Sequence, residues 1–240
     1  MEQIVKKENT SMYILSAFGI IFVLLGHISS PYGHTELFAF CGWFPYYSFH
    51  LPLFLFITGY FYKQVSEENI IGFIVKKGKT LLIPFFICNG FFLLLQTYLR
   101  KFGFSMGQTF SLYNWLIRPF FFCQPLTFAI PTWYLFSLFF TEILFVLLRK
   151  VVKLIIKDHL KIEISLLSFF LLIGMIAIYY INHSEYSEFR IVWCRPFLML
   201  FFIQFGYFYH QYLMNKKQTL KNNIYIYIIF NSIFNFIIFT

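Results

Sequence analysis

Five ionisable side chains stand inside long apolar stretches of this sequence: His27, His50, Glu142, Arg195 and His210. A charge among apolar residues is costly, so each is a candidate functional group. Imidazole takes up and returns a proton near neutral pH and is the commonest general base for activating a hydroxyl. Two histidines can also begin a metal site. No H-E-x-x-H spacing is present, however, and Glu142 is the sole carboxylate expected within the membrane, so no metal is expected. A buried histidine can instead hydrogen-bond across a helix interface, and both readings stand for His27 and His50. Pro52, two residues after His50, opens or kinks its helix and frees a carbonyl that the imidazole can bond. Glu142 reads as a proton relay, as the orienter of a histidine, or as a neutral acid or partner of Arg195. Arg195, before Pro196, reads as snorkelling to the membrane interface, and His210 reads as interfacial. His34, His159 and His183 are expected in loops.

Outside these stretches, Lys76-Lys77-Gly78-Lys79 precedes Leu81-Leu82-Ile83-Pro84. Lys76 and Lys79, one helical turn apart, suit the phosphates of a cytosolic nucleotide-like donor. A positive-inside anchor explains the same cluster. No Walker A motif, no G-x-G-x-x-G after a strand and no G-x-S-x-G occurs, so nucleotide hydrolysis and the usual serine hydrolase chemistry have no support.

The elements that must position these groups are membrane helices. The chain has 240 residues, 59% of them apolar and only 12% charged, where a soluble domain carries about 25% charged residues. The basic excess, Lys+Arg 19 against Asp+Glu 10, sits in short clusters between apolar runs, which excludes a nucleic-acid-binding face. With Phe 37 and Tyr 17, a disordered chain is excluded as well. A span needs roughly 20 apolar residues. Seven spans follow, near Met12–Ser30, Tyr46–Tyr62, Leu81–Leu99, Trp133–Leu148, Ile164–Ile181, Cys194–Leu213 and Ile224–Thr240. The fold expected is an all-α polytopic transmembrane bundle, one integral membrane domain over residues 1–240. A re-entrant or interfacial segment is expected around Trp115–Pro131, and an amphipathic surface helix over Val151–Ile164.

With the N-terminus cytoplasmic, 14 of the 19 basic residues fall on the inner side and 5 on the outer, which sets that orientation. No cleavable signal peptide precedes the first span. The last span ends without a polar flank, so the chain is expected to be part of a longer one. Cys88 and Cys194 are expected in spans as inert residues, while Cys41 and Cys123 fall in loops on one side and can pair if that side is oxidising.

In the first span Ser16, Gly19, Val23, Gly26, His27 and Ser30 fall within an arc of about 100°, a small and polar stripe that should face the bundle interior. His27 lies roughly 22 Å up a core of about 30 Å, towards the outer leaflet. His50 lies near the outer end of the second span, so the two imidazoles should converge.

Three segments together resemble the membrane acyltransferase 3 family, with the fucose 4-O-acetylase-like proteins as the nearest subgroup. They are Ile20–His27 (IIFVLLGH), Phe49–Tyr60 (FHLPLFLFITGY) and Lys76–Pro84. Pro131–Glu142, beginning P-T-W-Y-L-F, is similar to the family's next motif. The resemblance implies an integral enzyme of the cell membrane, here the bacterial cytoplasmic membrane, that moves an acyl group, usually acetyl, onto a sugar hydroxyl. It implies no permanently bound cofactor, acyl-CoA as donor substrate and a cell-surface or lipid-linked carbohydrate as acceptor. His27 corresponds to the family's first-helix histidine, His50 to its H-x-P histidine, and Lys76 and Lys79 to its basic motif. On that basis His27 is the general base, His50 orients it or stabilises the oxyanion, and Lys76 and Lys79 hold donor phosphates. The family often carries Arg or Lys eleven residues before the first-helix histidine, where this sequence has Ser16, and it has about ten spans. The alternative from another class is a proton-coupled transporter or flippase of a glycan precursor.

Overall fold

The computed structural model describes residues 2–29, 46–104, 107–122, 132–183, 185 and 187–214, with side chains at all of these except 2–9, 25–29 and 46–50. Helices joined by turns make up the described residues, with no strand among them, as backbone groups in lipid require. The chain forms two compact units, one of Met1–Tyr62 with Phe205–Thr240 and one of Lys63–Gln204.

In the first unit α1 (Glu2–Ser29) packs on α2 (Tyr46–Tyr60). Met12 and Gly19 are buried and Ser16 and Val23 half-buried, while Tyr13, Phe18, Ile20 and Ile21 are exposed. The small-residue stripe is thus the packed face as far as Val23. A Cβ at Gly19 would come within 2.9 Å of the Phe54 ring, so glycine is what lets α1 and α2 close. Pro52 lies inside α2 and does not open it. The same unit holds the turns from Phe205, where a Cβ at Gly206 would overlap the Phe56 carbonyl.

The second unit begins with a 3₁₀ turn, Gln64–Glu67, and a helical stretch from Ile70 to Phe102. That stretch comprises α3 (Ile70–Lys77), a π-turn (Gly78–Leu82), α4 (Ile83–Leu99) and a 3₁₀ turn. It starts well before the expected Leu81 because Asn69 caps it, its Oδ1 accepting from Gly72 N at 2.8 Å. The lysine cluster therefore lies within a helix, not ahead of one. After Gly103, held at φ 87°, the chain folds back along α4. Phe110 N donates to Thr97 Oγ1 at 2.7 Å, and Trp115 Nε1 donates to the Phe86 carbonyl at 2.7 Å. From Leu99 to Phe86 is about 20 Å of helix axis, so the chain up to Trp115 runs back beside α4 over that length, ahead of the expected re-entrant or interfacial segment. Residues 123–131 of the expected segment lie outside the described residues.

Helix α5 (Trp133–Ile155) starts where expected but runs beyond Leu148, so no separate surface helix covers Val151–Ile164. Its Lys, Val and Leu residues continue the helix already begun. The break comes at extended Ile156 (φ −110°, ψ 127°), and Asp158 then caps α6 (His159–His183) by accepting from Leu160 N at 3.0 Å. Helix α7 (Glu188–Phe208) starts before the expected Cys194 and carries Pro196 within it. A π-turn, Tyr209–Leu213, follows.

Among the described residues, three stretches are long and apolar enough to cross a membrane: Ile70–Phe102, His159–His183 and Glu188–Leu213, with mean hydropathies of 1.7, 2.4 and 1.5. They overlap the expected third, fifth and sixth spans. Shorter apolar helices, Thr10–Leu24 and Leu51–Tyr60, fall in the first two. Helix α5, 23 residues long, is too charged to meet the same test, with Glu142, Arg149, Lys150 and Lys153 along it. The expected seventh span lies outside the described residues. Polar side chains are buried while many large apolar ones stand exposed. On α4, Asn89 is 0% and Gln96 1% exposed, whereas Ile87 is 64% and Phe91 61% exposed. Such a surface suits lipid.

Candidate functional site

Helix α4 buries Phe85, Asn89, Gly90, Leu93 and Gln96 on one face. Continued at 100° per residue, an uninterrupted helix would put Lys77 about 130° from the centre of that face. The π-turn holds one extra residue, closed by Ile83 N–H donating to the Gly78 carbonyl, and its local cause is Pro84. Proline lacks an N–H and its ring presses on the carbonyl four residues earlier, at Thr80. The extra residue turns the preceding chain by roughly 100°, which brings Lys77 within about 30° of the face.

Lys77 there meets α5, its Nζ 2.6 Å from Glu142 Oε1. Glu142 is 4% exposed, and its other oxygen, Oε2, is buried without a hydrogen-bond partner. The Tyr134 hydroxyl, two turns earlier on α5, is also buried and unpartnered. The expected partner Arg195 is thus replaced by Lys77, because the π-turn aims that lysine inward. Lys76 and Lys79, on either side, are exposed. They remain available to an anionic ligand.

A second ionic cluster lies further along α5. Arg149 is 0% exposed although its position among lysines reads as a surface charge. Its Nη1 and Nη2 donate to Glu163 at 2.6 and 2.7 Å, Nε donates to Glu67 Oε1 at 3.0 Å, and Nη1 also reaches Gln204 Oε1 at 3.0 Å. Lys153 Nζ lies 2.5 Å from Glu67 Oε2. Two cations and two carboxylates balance, so the burial leaves no net charge. This cluster ties the Gln64–Glu67 turn to α5, α6 and α7.

Arg195 lies well inside α7, not at its end, and stacks on Trp133 with the guanidinium carbon 3.9 Å from the ring centroid. Snorkelling does not describe it. The pair lines a small cleft with Phe85, Phe122, Phe136 and Ser137. In the first unit His210 stacks on Tyr60 with ring centroids 4.3 Å apart, and its Nδ1 is buried without a partner, so the ring is packed near the end of its helical stretch. His27 falls in α1 and His50 in α2, but the side chains of both lie outside the described residues, as do His34, Cys41 and Cys123. His159 opens α6, and His183 closes it on the Tyr179 carbonyl. Among the described residues, no three His, Cys, Asp or Glu side chains gather as a metal site would require.

The sequence family of acyltransferase domains matches residues 11–240, a range that includes parts of both units. This chain belongs to the acyltransferase 3 family. No curated protein and no solved structure matches it. In this acyltransferase 3 chain, sequence reasoning missed Lys77, Arg149, Glu67 and Glu163. The orientation count weighed only basic residues, so it overlooked acids on the same side. With Asp+Glu 10 in all, the positions of Glu67 and Glu163 beside a lysine-rich segment were the available signal.

Proposed function

We propose that the protein is an integral membrane O-acyltransferase of the fucose 4-O-acetylase-like kind. It transfers an acyl group, acetyl first, from cytosolic acyl-CoA to a hydroxyl of a cell-surface or lipid-linked sugar. The site of action is the bacterial cytoplasmic membrane, with the N-terminus inside. The observation that carries this reading is the family match along residues 11–240. It is supported by the burial of Asn89 and Gln96 on α4 opposite exposed Ile87 and Phe91, and by the two exposed lysines, Lys76 and Lys79, on either side of half-buried Lys77 and its buried partner Glu142.

In the proposed reaction His27 accepts the proton of the acceptor hydroxyl as its oxygen attacks the thioester carbonyl. His50 stabilises the resulting oxyanion. Collapse breaks the C–S bond, and the departing thiolate takes the proton back from the His27 imidazolium. Lys76 and Lys79 hold the donor phosphates by charge.

His27→Ala should lower transfer of labelled acetyl from acetyl-CoA to membrane glycan by roughly 10²–10⁴-fold. The amount of protein in the membrane fraction should stay unchanged. Transfer at the normal rate would refute the assignment of the base. Glycan translocated without label would favour transport instead.

A further inference from the structure

Two unmet hydrogen-bonding atoms on α5 call for a ligand. The Glu142 carboxylate spends Oε1 on Lys77 at 2.6 Å and keeps Oε2 buried with nothing to accept from. The Tyr134 hydroxyl, two turns earlier on the same helix, is buried and unpartnered too. An unmet buried polar atom costs free energy, and a carboxylate oxygen can be satisfied only by a donor. The phenol adds a donor that can meet a carbonyl. Together they match a chain that presents N–H and C=O groups in succession along its length.

We infer that Glu142 and Tyr134 form the subsite for the amide-bearing pantetheine arm of the donor. An amide N–H donates to Glu142 Oε2, and an arm carbonyl accepts from the Tyr134 hydroxyl. Lys77 is a positioning residue that turns the carboxylate. Two observations put this subsite on the donor's path. Lys77 immediately follows Lys76 and lies two residues before Lys79, both exposed. The carboxylate is therefore held by the same helical turn that carries the lysines proposed for phosphate. Tyr134 stands eight residues before Glu142, about 12 Å along the same helix, so an extended arm passing one would meet the other. The inference rests on the acyl-CoA reading above.

The test is binding of two probes to the full chain in detergent. One is S-acetyl-pantetheine, which lacks the nucleotide. The other is the same molecule with its amide N–H groups replaced by ester oxygens. Wild-type protein should prefer the amide probe by roughly ten- to a hundredfold, the worth of one hydrogen bond to a charged group. Glu142→Gln should shrink that preference. Tyr134→Phe, a change of one buried atom with little risk to folding, should weaken both probes by roughly two- to tenfold, because both retain carbonyls. It should leave a bare acetyl thioester without amides unaffected. Equal binding of amide and ester probes by the wild type, or no effect of Tyr134→Phe, overturns the subsite while acetyl-CoA binding still upholds the donor. Failure of the wild type to bind either acetyl-CoA or S-acetyl-pantetheine overturns the donor reading and the subsite with it.

Discussion

Arg149 shows how one side chain can hold several elements. Its guanidinium is fully buried and bonds Glu163 in a two-pronged geometry while reaching Glu67 and Gln204. Breaking such a pair by removing one partner leaves an uncompensated charge and costs about 3–5 kcal/mol. Arg149→Met should accordingly lower the thermal unfolding midpoint sharply, read by intrinsic fluorescence in detergent. Arg149→Lys should recover only part of the loss, since an ammonium cannot fork across both Glu163 oxygens. A lysine variant as stable as the parent would show that geometry is irrelevant there. Sequence inspection could not have placed Arg149 inside, because its neighbours Lys150 and Lys153 read as a solvated charge run. Glu142 was legible as a buried acid for the opposite reason, standing alone in an apolar stretch.

At the level of elements, the segment folded back along α4 depends on a bare helix surface. Trp115 lies against Gly90, where a Cβ would stand 3.0 Å from its Nε1, and that nitrogen bonds the Phe86 carbonyl. Gly90→Val should push the indole away at an overpacking cost of about 1–3 kcal/mol. Local opening should then rise by roughly tenfold or more, with faster chymotryptic cleavage after Tyr113 and unchanged cleavage after Tyr62. Equal cleavage at Tyr113 in both proteins would detach the glycine from the fold-back. The helices were largely readable from apolar run length, and α5 begins at Trp133 as expected. Their ends were not. Asn69 extends the third stretch and Asp158 divides α5 from α6 through cap hydrogen bonds, a signal that run length does not carry. The π-turn was invisible for a related reason, since a fixed 100° period assumes no residue is added.

For the whole molecule, the decisive contrast is between many exposed apolar side chains and an interior that also buries polar and charged ones within its apolar core. Cys88 sits exposed on α4 beside Ile87 and Phe91, within the Ile70–Phe102 stretch. In a bilayer that surface faces hydrocarbon, where neither water nor a thiolate is favoured. In a variant with Cys41, Cys123 and Cys194 changed to Ser, Cys88 should resist a water-soluble maleimide in intact and permeabilised vesicles. It should react once dodecyl sulfate unfolds the chain. Labelling in vesicles would remove α4 from the membrane.

The π-turn at Gly78–Leu82 carries a historical consequence. The inward aim of Lys77 depends on a single surplus position, so a one-codon insertion or deletion there would connect or disconnect the lysine from Glu142. The span itself would lengthen or shorten by only about 1.5 Å, a change a bilayer readily absorbs. Charge placement at this spot is therefore open to evolution by indel, without any substitution at either ionic residue.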